Sequence, residues 1–338
     1  MSGLIRSPGV AFHGLLLVCG LLVSCGDAAQ GAADVALDER GEATPAELVA
    51  EPAAGLSQRL ERHVSLLAGL GERSMAAPAS LQRAREYVGE QFRALGLSPE
   101  EHLFEHAGLS LANVWCELPG STPGAPVVLL GAHYDSIGPG ADDNASGVAA
   151  LLELAALLRT EPLTRPVRFV AFVNEEPPCF QEACMGSRVY ARRCKAAGEQ
   201  VELMLSLESI GFWSDEPESQ HYPPLLAASY PSTGDFVAFV SDLEHGGALQ
   251  RFLALFRQTE SVPSEGAVLP GALPGVGWSD HWSFWQEGYP ALMVTDTALF
   301  RNPHYHEASD LPETLDYERM AALVRGLKQA LVELSQSP

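Results

Sequence analysis

The chain has 338 residues, 46% of them hydrophobic, enough for one large domain or two ordinary ones with a full core. Lys and Arg number 21 against 43 Asp and Glu, a formal charge of −22. No basic stripe exists to neutralise phosphates, which argues against nucleic-acid binding, and the acidic surface serves solubility while favouring cationic partners.

Residues 1–24 read as an export signal. Arg6 supplies a positive start, and residues 14–23 form an apolar stretch too short to span a bilayer. The stretch ends in Leu22-Val23-Ser24-Cys25, which resembles the lipobox where bacterial lipoproteins are cut and lipidated on the cysteine. The expectation is a lipid anchor at Cys25 holding the mature protein to a membrane of the cell envelope. An ordinary signal peptide with a chance cysteine is the alternative. Residues 25–54, rich in Ala, Gly, Glu and Asp without apolar periodicity, read as a flexible acidic tether. No other segment is long and apolar enough to cross a membrane.

From residue 56 the pattern changes. Leu56, Leu60, Val64 and Leu67 recur at helical spacing, and Ala84, Val88, Phe92 and Leu95 repeat it in a second helix that stops at Gly96. Val127, Val128, Leu129 and Leu130 follow a run of turn formers and read as a buried strand. A helix is predicted over 144–158, with Asn144 or Ser146 near its N-cap and Val148, Leu151, Leu152 and Ala155 on one face. Buried strands are expected over 167–173, 203–207, 236–240 and 291–294, with helices near 248–256 and 317–334. Strands alternating with helices predict a single three-layer α/β/α domain over 55–338, with a mixed, largely parallel central sheet.

Without Cys19 and Cys25, the cysteines are Cys116, Cys179, Cys184 and Cys194, which allow three pairings in an oxidising compartment. Cys179 and Cys184, five apart and directly after VNEEPP, are the favoured pair. Metal ligation by these thiols lacks any CxxC spacing.

The polar residues sit where the strands end. The first strand runs out at His133 and Asp135, the second at Glu175 and Glu176, the third at Glu208. The last leads into a loop with His304 and His306. Ligands of open α/β sheets bind outside the carboxyl ends of the strands. Adjacent carboxylates at the end of an apolar strand are costly unless a cation sits there. Asp142 and Asp143, within GADDNASG, could by themselves be a turn and a cap. Two His and three carboxylates suit zinc. A pair of such ions, roughly 3.5–4 Å apart, needs a bridging carboxylate and leaves a second carboxylate to take the proton of the attacking water.

The blocks GAHYDS, GADDNASG, VNEE, SLES and PHYH, in that order between His133 and His306, resemble the bacterial double-zinc aminopeptidase family over about residues 56–334. The resemblance implies two Zn2+ held by His133, Asp143 as the bridge, Glu176, Glu208 and His306. It implies Glu175 as the general base, Asp135 as the residue that orients the imidazole of His133, and Asp142 as support for the bridging turn. Tyr305 stands where some members polarise the substrate carbonyl, though a tyrosine packed in a loop would look the same. Asp280 and His281 in WSDHWSFW echo a supporting block, and His304 looks non-ligating. Several members have Asp where this chain has Glu208, so metal binding is expected with shifted geometry. Substrates would be peptides with a free amino terminus.

Three alternatives stay open. A glutaminyl cyclase shares the fold and some ligands. A carboxypeptidase or dipeptidase would need a basic grip, which Arg301 could supply. A non-catalytic receptor-like relative usually loses ligands or the base. Phe212, Trp213, Tyr222 and Trp278, in the loops over 211–231 and 259–277 or next to them, could line a specificity pocket or merely pack.

Overall fold

The computed structural model describes residues 55–223 and 226–336, all within one compact unit. The expected export signal, Cys25 and the 25–54 tether lie outside the described residues. No helix among the described residues is long and apolar enough to cross a membrane.

The sheet has eight strands: β1 (Glu100–His106), β2 (Leu109–Leu118), β3 (Val127–His133), β4 (Val167–Phe172), β5 (Val201–Glu208), β6 (Val237–Ser241), β7 (Ser264–Val268) and β8 (Ala291–Thr295). Their spatial order is β1-β2-β4-β3-β5-β8-β6-β7. The central strands β4, β3, β5 and β8 are parallel. A β1–β2 hairpin is added antiparallel to β4 on one side. On the other, β6 runs antiparallel to β8 with β7 parallel beside it. Every residue of β3 and β4 is buried, so these strands read as continuous apolar runs rather than alternating ones.

The helices are α1 (Leu56–Ala68), α2 (Pro78–Ala94), α3 (Gly147–Leu158), α4 (Gly186–Ala196), α5 (Gly246–Arg257), α6 (His281–Trp285) and α7 (Tyr317–Gln336). One face of the sheet, with Leu130, Phe169, Leu205 and Val294, packs against α1, α2, α3, α5 and α7. The other face, with Leu129, Val170 and Met204, packs against Tyr190 of α4 and Phe284 of α6. Under β6 and β7 that second face is covered mainly by loops. Ala238, Val240 and Met293 meet Val276, Leu273 and Tyr222 from loops, and α6 reaches them only through Trp285. The helical layer is therefore incomplete there, and the gap matters for function.

The structure corrects the helix predicted over 144–158. Helix α3 starts at Gly147, and Ala141–Ser146 form an irregular turn in which Asp143 and Asn144 leave helical dihedrals. The Asn144 carbonyl does accept from the Gly147 N–H, as a cap would, but it also accepts from the Ser209 N–H. Its amide donates to the Leu207 carbonyl, so Asn144 ties the turn to the end of β5. Cys179 and Cys184 form a disulfide, whereas Cys116 and Cys194 are free and buried.

Candidate metal centre

The carboxyl ends of β3, β4 and β5 and the loop after β8 bring His133, Asp143, Glu175, Glu176, Glu208 and His306 to one place. His133 Nε2 lies 3.3 Å from Asp143 Oδ1 and 3.3 Å from Glu208 Oε2. His306 Nε2 lies 3.0 Å from Asp143 Oδ2 and 3.2 Å from Glu176 Oε1. Two three-residue groups that could hold a metal ion result, His133–Asp143–Glu208 and Asp143–Glu176–His306. They share Asp143 and use its two oxygens separately, as a bridging carboxylate must. A tetrahedral ion with bonds of about 2.0 Å sets its donors about 3.3 Å apart. The spacings here match that figure.

Four of the donor atoms have no other partner. His133 Nε2, His306 Nε2, Asp143 Oδ1 and Glu176 Oε1 are buried without a hydrogen bond. Orphaned buried polar atoms are rare and call for a ligand. His133 Nδ1 is engaged with the main-chain carbonyl of Asp135 at 3.1 Å, which leaves the Nε2 lone pair aimed into the site.

The electrostatics agree. Burial, with His133 opposing it and Glu176, Glu208 and Asp280 adding to it, pushes the Glu175 carboxyl well above its usual range. Burial and the neighbouring Asp143 raise Glu176 to about 7, and burial raises Glu208. Burial alone would lower the two histidines. The carboxylates outweigh it, so His133 stands well above its ordinary value and His306 at about 10. So many acids cannot all ionise together without a cation, and the donor set fits zinc.

A second ring of contacts fixes these groups. Asp135 accepts from the backbone N–H groups of Glu175 and Glu176, each at 3.1 Å, while its carboxylate stands 3.6 Å from His133. The resemblance implies that Asp135 orients the His133 imidazole. In the structure its main-chain carbonyl does that, and the carboxylate grips the two glutamates. Asp142 accepts from the Gly211 N–H and from Asn302, joining the bridging turn to β5 and to the histidine loop. Asp280 is fully buried with both carboxylate oxygens unpartnered, and burial beside Glu208 and Asp135 raises it to about 7. His281 is buried and donates to the Val276 carbonyl.

Four supports escaped the sequence reading. Asp310 accepts from the backbone N–H groups of Asp142 and Asp143 at 2.9 and 3.1 Å, as Asp135 does for the glutamates. Ser279 donates to Glu208 Oε2 at 2.7 Å. Arg73, fully buried, donates to the carbonyls of Tyr134, Pro139 and Gly140 and so holds the loop after β3. Gly140 in that loop has φ 54° and room for no Cβ, which would stand 2.3 Å from the Asp143 carbonyl. A Gly between two turn residues is visible in sequence, but no spacing rule links Arg73 or Asp310 to residues that far along the chain. Asn174, Ser209 and His306 adopt left-handed φ beside the site residues, the kind of backbone strain that clusters at functional sites.

Tyr305 stacks on His306 with ring centroids 3.9 Å apart and faces a cleft of about 830 Å³ that begins at Glu208. His304 lies outside both groups and contacts Ser309 and Phe212. Tyr222 and Trp278 line the cleft, whereas Phe212 and Trp213 do not. Trp213 is buried in the core, its indole N–H on the Ile210 carbonyl. Arg301 is buried too, stacked over Phe236 and bonded through Nε to Gln220, with Nη2 unpartnered, and it does not line the cleft. The third group that the geometry singles out, His106 with Cys179 and Cys184, has its two sulfurs joined to each other.

An uncharacterised Escherichia coli protein, YfbL, is 38% identical over 73% of this chain and 79% of its own length. A probable leucine aminopeptidase of Trichophyton verrucosum is 28% identical over 62% of this chain and 53% of its own. The chain thus spans about half the length of such fungal relatives. Among solved structures, LapB of Legionella pneumophila superposes with a TM-score of 0.68 at 20% identity, over 90% of this chain and 77% of that one, which establishes the fold. Residues 113–331, which contain all six residues brought together at the strand ends, match peptidase family M28. The chain belongs to that family.

Proposed function

We propose that this M28 peptidase is an aminopeptidase that works with two zinc ions. One observation carries the reading: two histidine–carboxylate groups share the two oxygens of Asp143, and both histidine Nε2 atoms, Asp143 Oδ1 and Glu176 Oε1 are buried and orphaned. His133, Asp143 and Glu208 would hold one ion, and Asp143, Glu176 and His306 the other. When bound, the ions supply Lewis acidity to the scissile carbonyl and to the attacking water.

The chain's own residues account for the proton. Glu175 Oε2 stands 4.0 Å from His133 Nε2 and belongs to neither group, so it is free to act on the water. Its raised pKa suits a base that takes a proton and then gives it to the departing amine. Asp135 holds the backbone on which Glu175 and Glu176 diverge, one towards the reacting water and one towards the ion. The Tyr305 hydroxyl, kept protonated by burial next to Asp143, donates to the carbonyl oxygen.

The cleft favours an amino-terminal substrate over a carboxyl-terminal one. Its described lining contains Glu208 and Glu265 but no Lys or Arg to receive a terminal carboxylate. The fungal relatives' names point the same way.

The test is hydrolysis of leucine 4-nitroanilide beside its N-acetylated form and a carboxyl-terminal peptide series. Only the free-amine substrate should turn over, and a strong chelator should abolish turnover until zinc returns. Glu175→Gln should lower kcat about 10²- to 10⁴-fold with zinc content unchanged. Turnover that survives chelation, equal cleavage of the acetylated substrate, or a Glu175→Gln variant of near-normal kcat would each refute the reading. A cyclised product from an amino-terminal glutamine, with one zinc per chain, would mark a cyclase instead.

A further inference from the structure

The cleft has a charged far end that the two-ion site does not use. Glu208 pairs with Thr295, Thr295 with Ala238, and Ala238 with Glu265, across β5, β8, β6 and β7. Residues in register share a face of the sheet, and all four line the cleft. The row therefore runs from the ion site at Glu208 to Glu265, three strand spacings or about 14 Å away. Between them the walls are apolar or aromatic: Phe236, Val240, Val276 and Met293 from below, with Tyr222 and Tyr230 stacked at 5.8 Å. Within the described lining, Glu208 and Glu265 are the only acidic side chains.

Glu265 retains capacity for a partner. The half-exposed Arg257 forms only a long ion pair with it, at 3.9 Å and beyond hydrogen-bond reach, and donates instead to the Ser264 carbonyl at 2.7 Å.

We propose that the cleft selects peptides beginning with arginine or lysine, and that Glu265 is the specificity residue receiving the side-chain cation. The inference rests on the aminopeptidase reading and names its substrate class. A carboxylate at the end of an apolar cleft penalises a neutral side chain that strips its water without replacing it. A long basic side chain satisfies both parts, because its methylene stem packs on the walls while its head needs an anion. Reach agrees as well. An extended arginine covers roughly 7 Å from Cα, and a charge-assisted hydrogen bond adds about 3 Å. Together they span most of the row, whereas a leucine stops well short of Glu265.

The experiment compares kcat/KM of the purified protein on arginine, lysine, leucine and phenylalanine 4-nitroanilides. Arginine and lysine should exceed leucine. Glu265→Gln should lower the arginine-to-leucine ratio about tenfold to a hundredfold, mainly through KM for the arginine substrate, and Glu265→Lys should lower it further. A measurement on the unaltered protein guards against a variant that fails to fold. Arginine amide should inhibit leucine 4-nitroanilide hydrolysis more strongly than norleucine amide, with the advantage shrinking at high salt. If leucine anilide turns over but arginine amide inhibits no better, or Glu265→Gln leaves the ratio unchanged, the assignment of Glu265 is wrong while the aminopeptidase reading stands. If no anilide is cleaved, both fall.

Discussion

At the scale of single residues, the site depends on pairs of carboxylates with different tasks. Asp143 and Glu176 face inward with orphaned oxygens, whereas Asp135 and Asp310 face backbone N–H groups and never enter the site. Each of these two accepts two main-chain hydrogen bonds, and each fixes two consecutive acidic residues. Replacing one oxygen by an amide nitrogen sets a donor against a donor. Asp135→Asn and Asp310→Asn should therefore loosen the inward carboxylates without removing one. Zinc affinity should fall about 10- to 100-fold in each variant, the range seen for such outer partners. Titration of the metal-free variants against a competing zinc dye would show it. Wild-type affinity in both would mean that these aspartates only stabilise their loops.

At the scale of elements, what sequence revealed depended on burial. The five strands with continuous apolar runs were legible because nearly all their residues are buried, and the residues at their ends were legible as a set of charged positions after such runs. The hairpin β1–β2 was not, since β1 is a half-exposed edge that holds only two apolar residues, Leu103 and Phe104, side by side among Glu and His. Helix α4 carries Arg188, Arg192, Arg193 and Lys195, which mask its apolar stripe of Tyr190, Ala191 and Cys194. Residues 144–146 read as the first turn of the helix, but they belong to an irregular turn held by tertiary bonds through Asn144 and Asp310 that no local pattern encodes. The short helix α6 was seen only as a motif, WSDHWSFW, and its role in stability follows from His281. That ring is fully buried, donates from Nε2 to Val276, stacks edge-on at 4.5 Å against Trp285, and leaves Nδ1 with no partner. A second proton would land on the unpartnered nitrogen, and burial lowers the pKa from 6.5 to about 4. Because the folded value lies below the unfolded one, this stability is complete above pH 6.5 and is lost as pH falls towards 4. The contribution is about 3 kcal/mol. Urea unfolding of the metal-free protein should show His281→Gln much weaker than wild type at pH 7.5, with the gap closing by pH 4.5. A gap independent of pH would show that the ring stabilises by packing alone.

At the scale of the whole molecule, the sheet is finished asymmetrically. The parallel strands β4, β3 and β5 are sealed by helices on both faces and, with β8, deliver the site residues from their carboxyl ends. The half formed by β6 and β7 keeps one face open and becomes the floor of the cleft. The same unit thus sets the proposed ion site beside the open cleft, and the proposed site is itself a source of instability when empty. His133, Asp143 and Glu176 are buried together with inward atoms unpaired, and Glu208 is buried beside them, so the metal-free fold carries electrostatic strain that bound cations would relieve. Ligands that bind only the folded state stabilise it by mass action, about 2.7 kcal/mol at a hundredfold excess over Kd. For a domain of this size that corresponds to a rise in Tm of roughly 5 °C. Zinc added to chelated protein should produce a shift of this order, largely kept by Glu175→Gln, because that carboxylate belongs to neither ion group, and reduced by His306→Ala, which dismantles one of them. Because Asp143 belongs to both groups, Asp143→Asn should abolish the shift more completely than His306→Ala does. Calorimetry of the four proteins with and without zinc decides the matter. A shift equal in wild type and Asp143→Asn would place the ions somewhere other than the shared carboxylate.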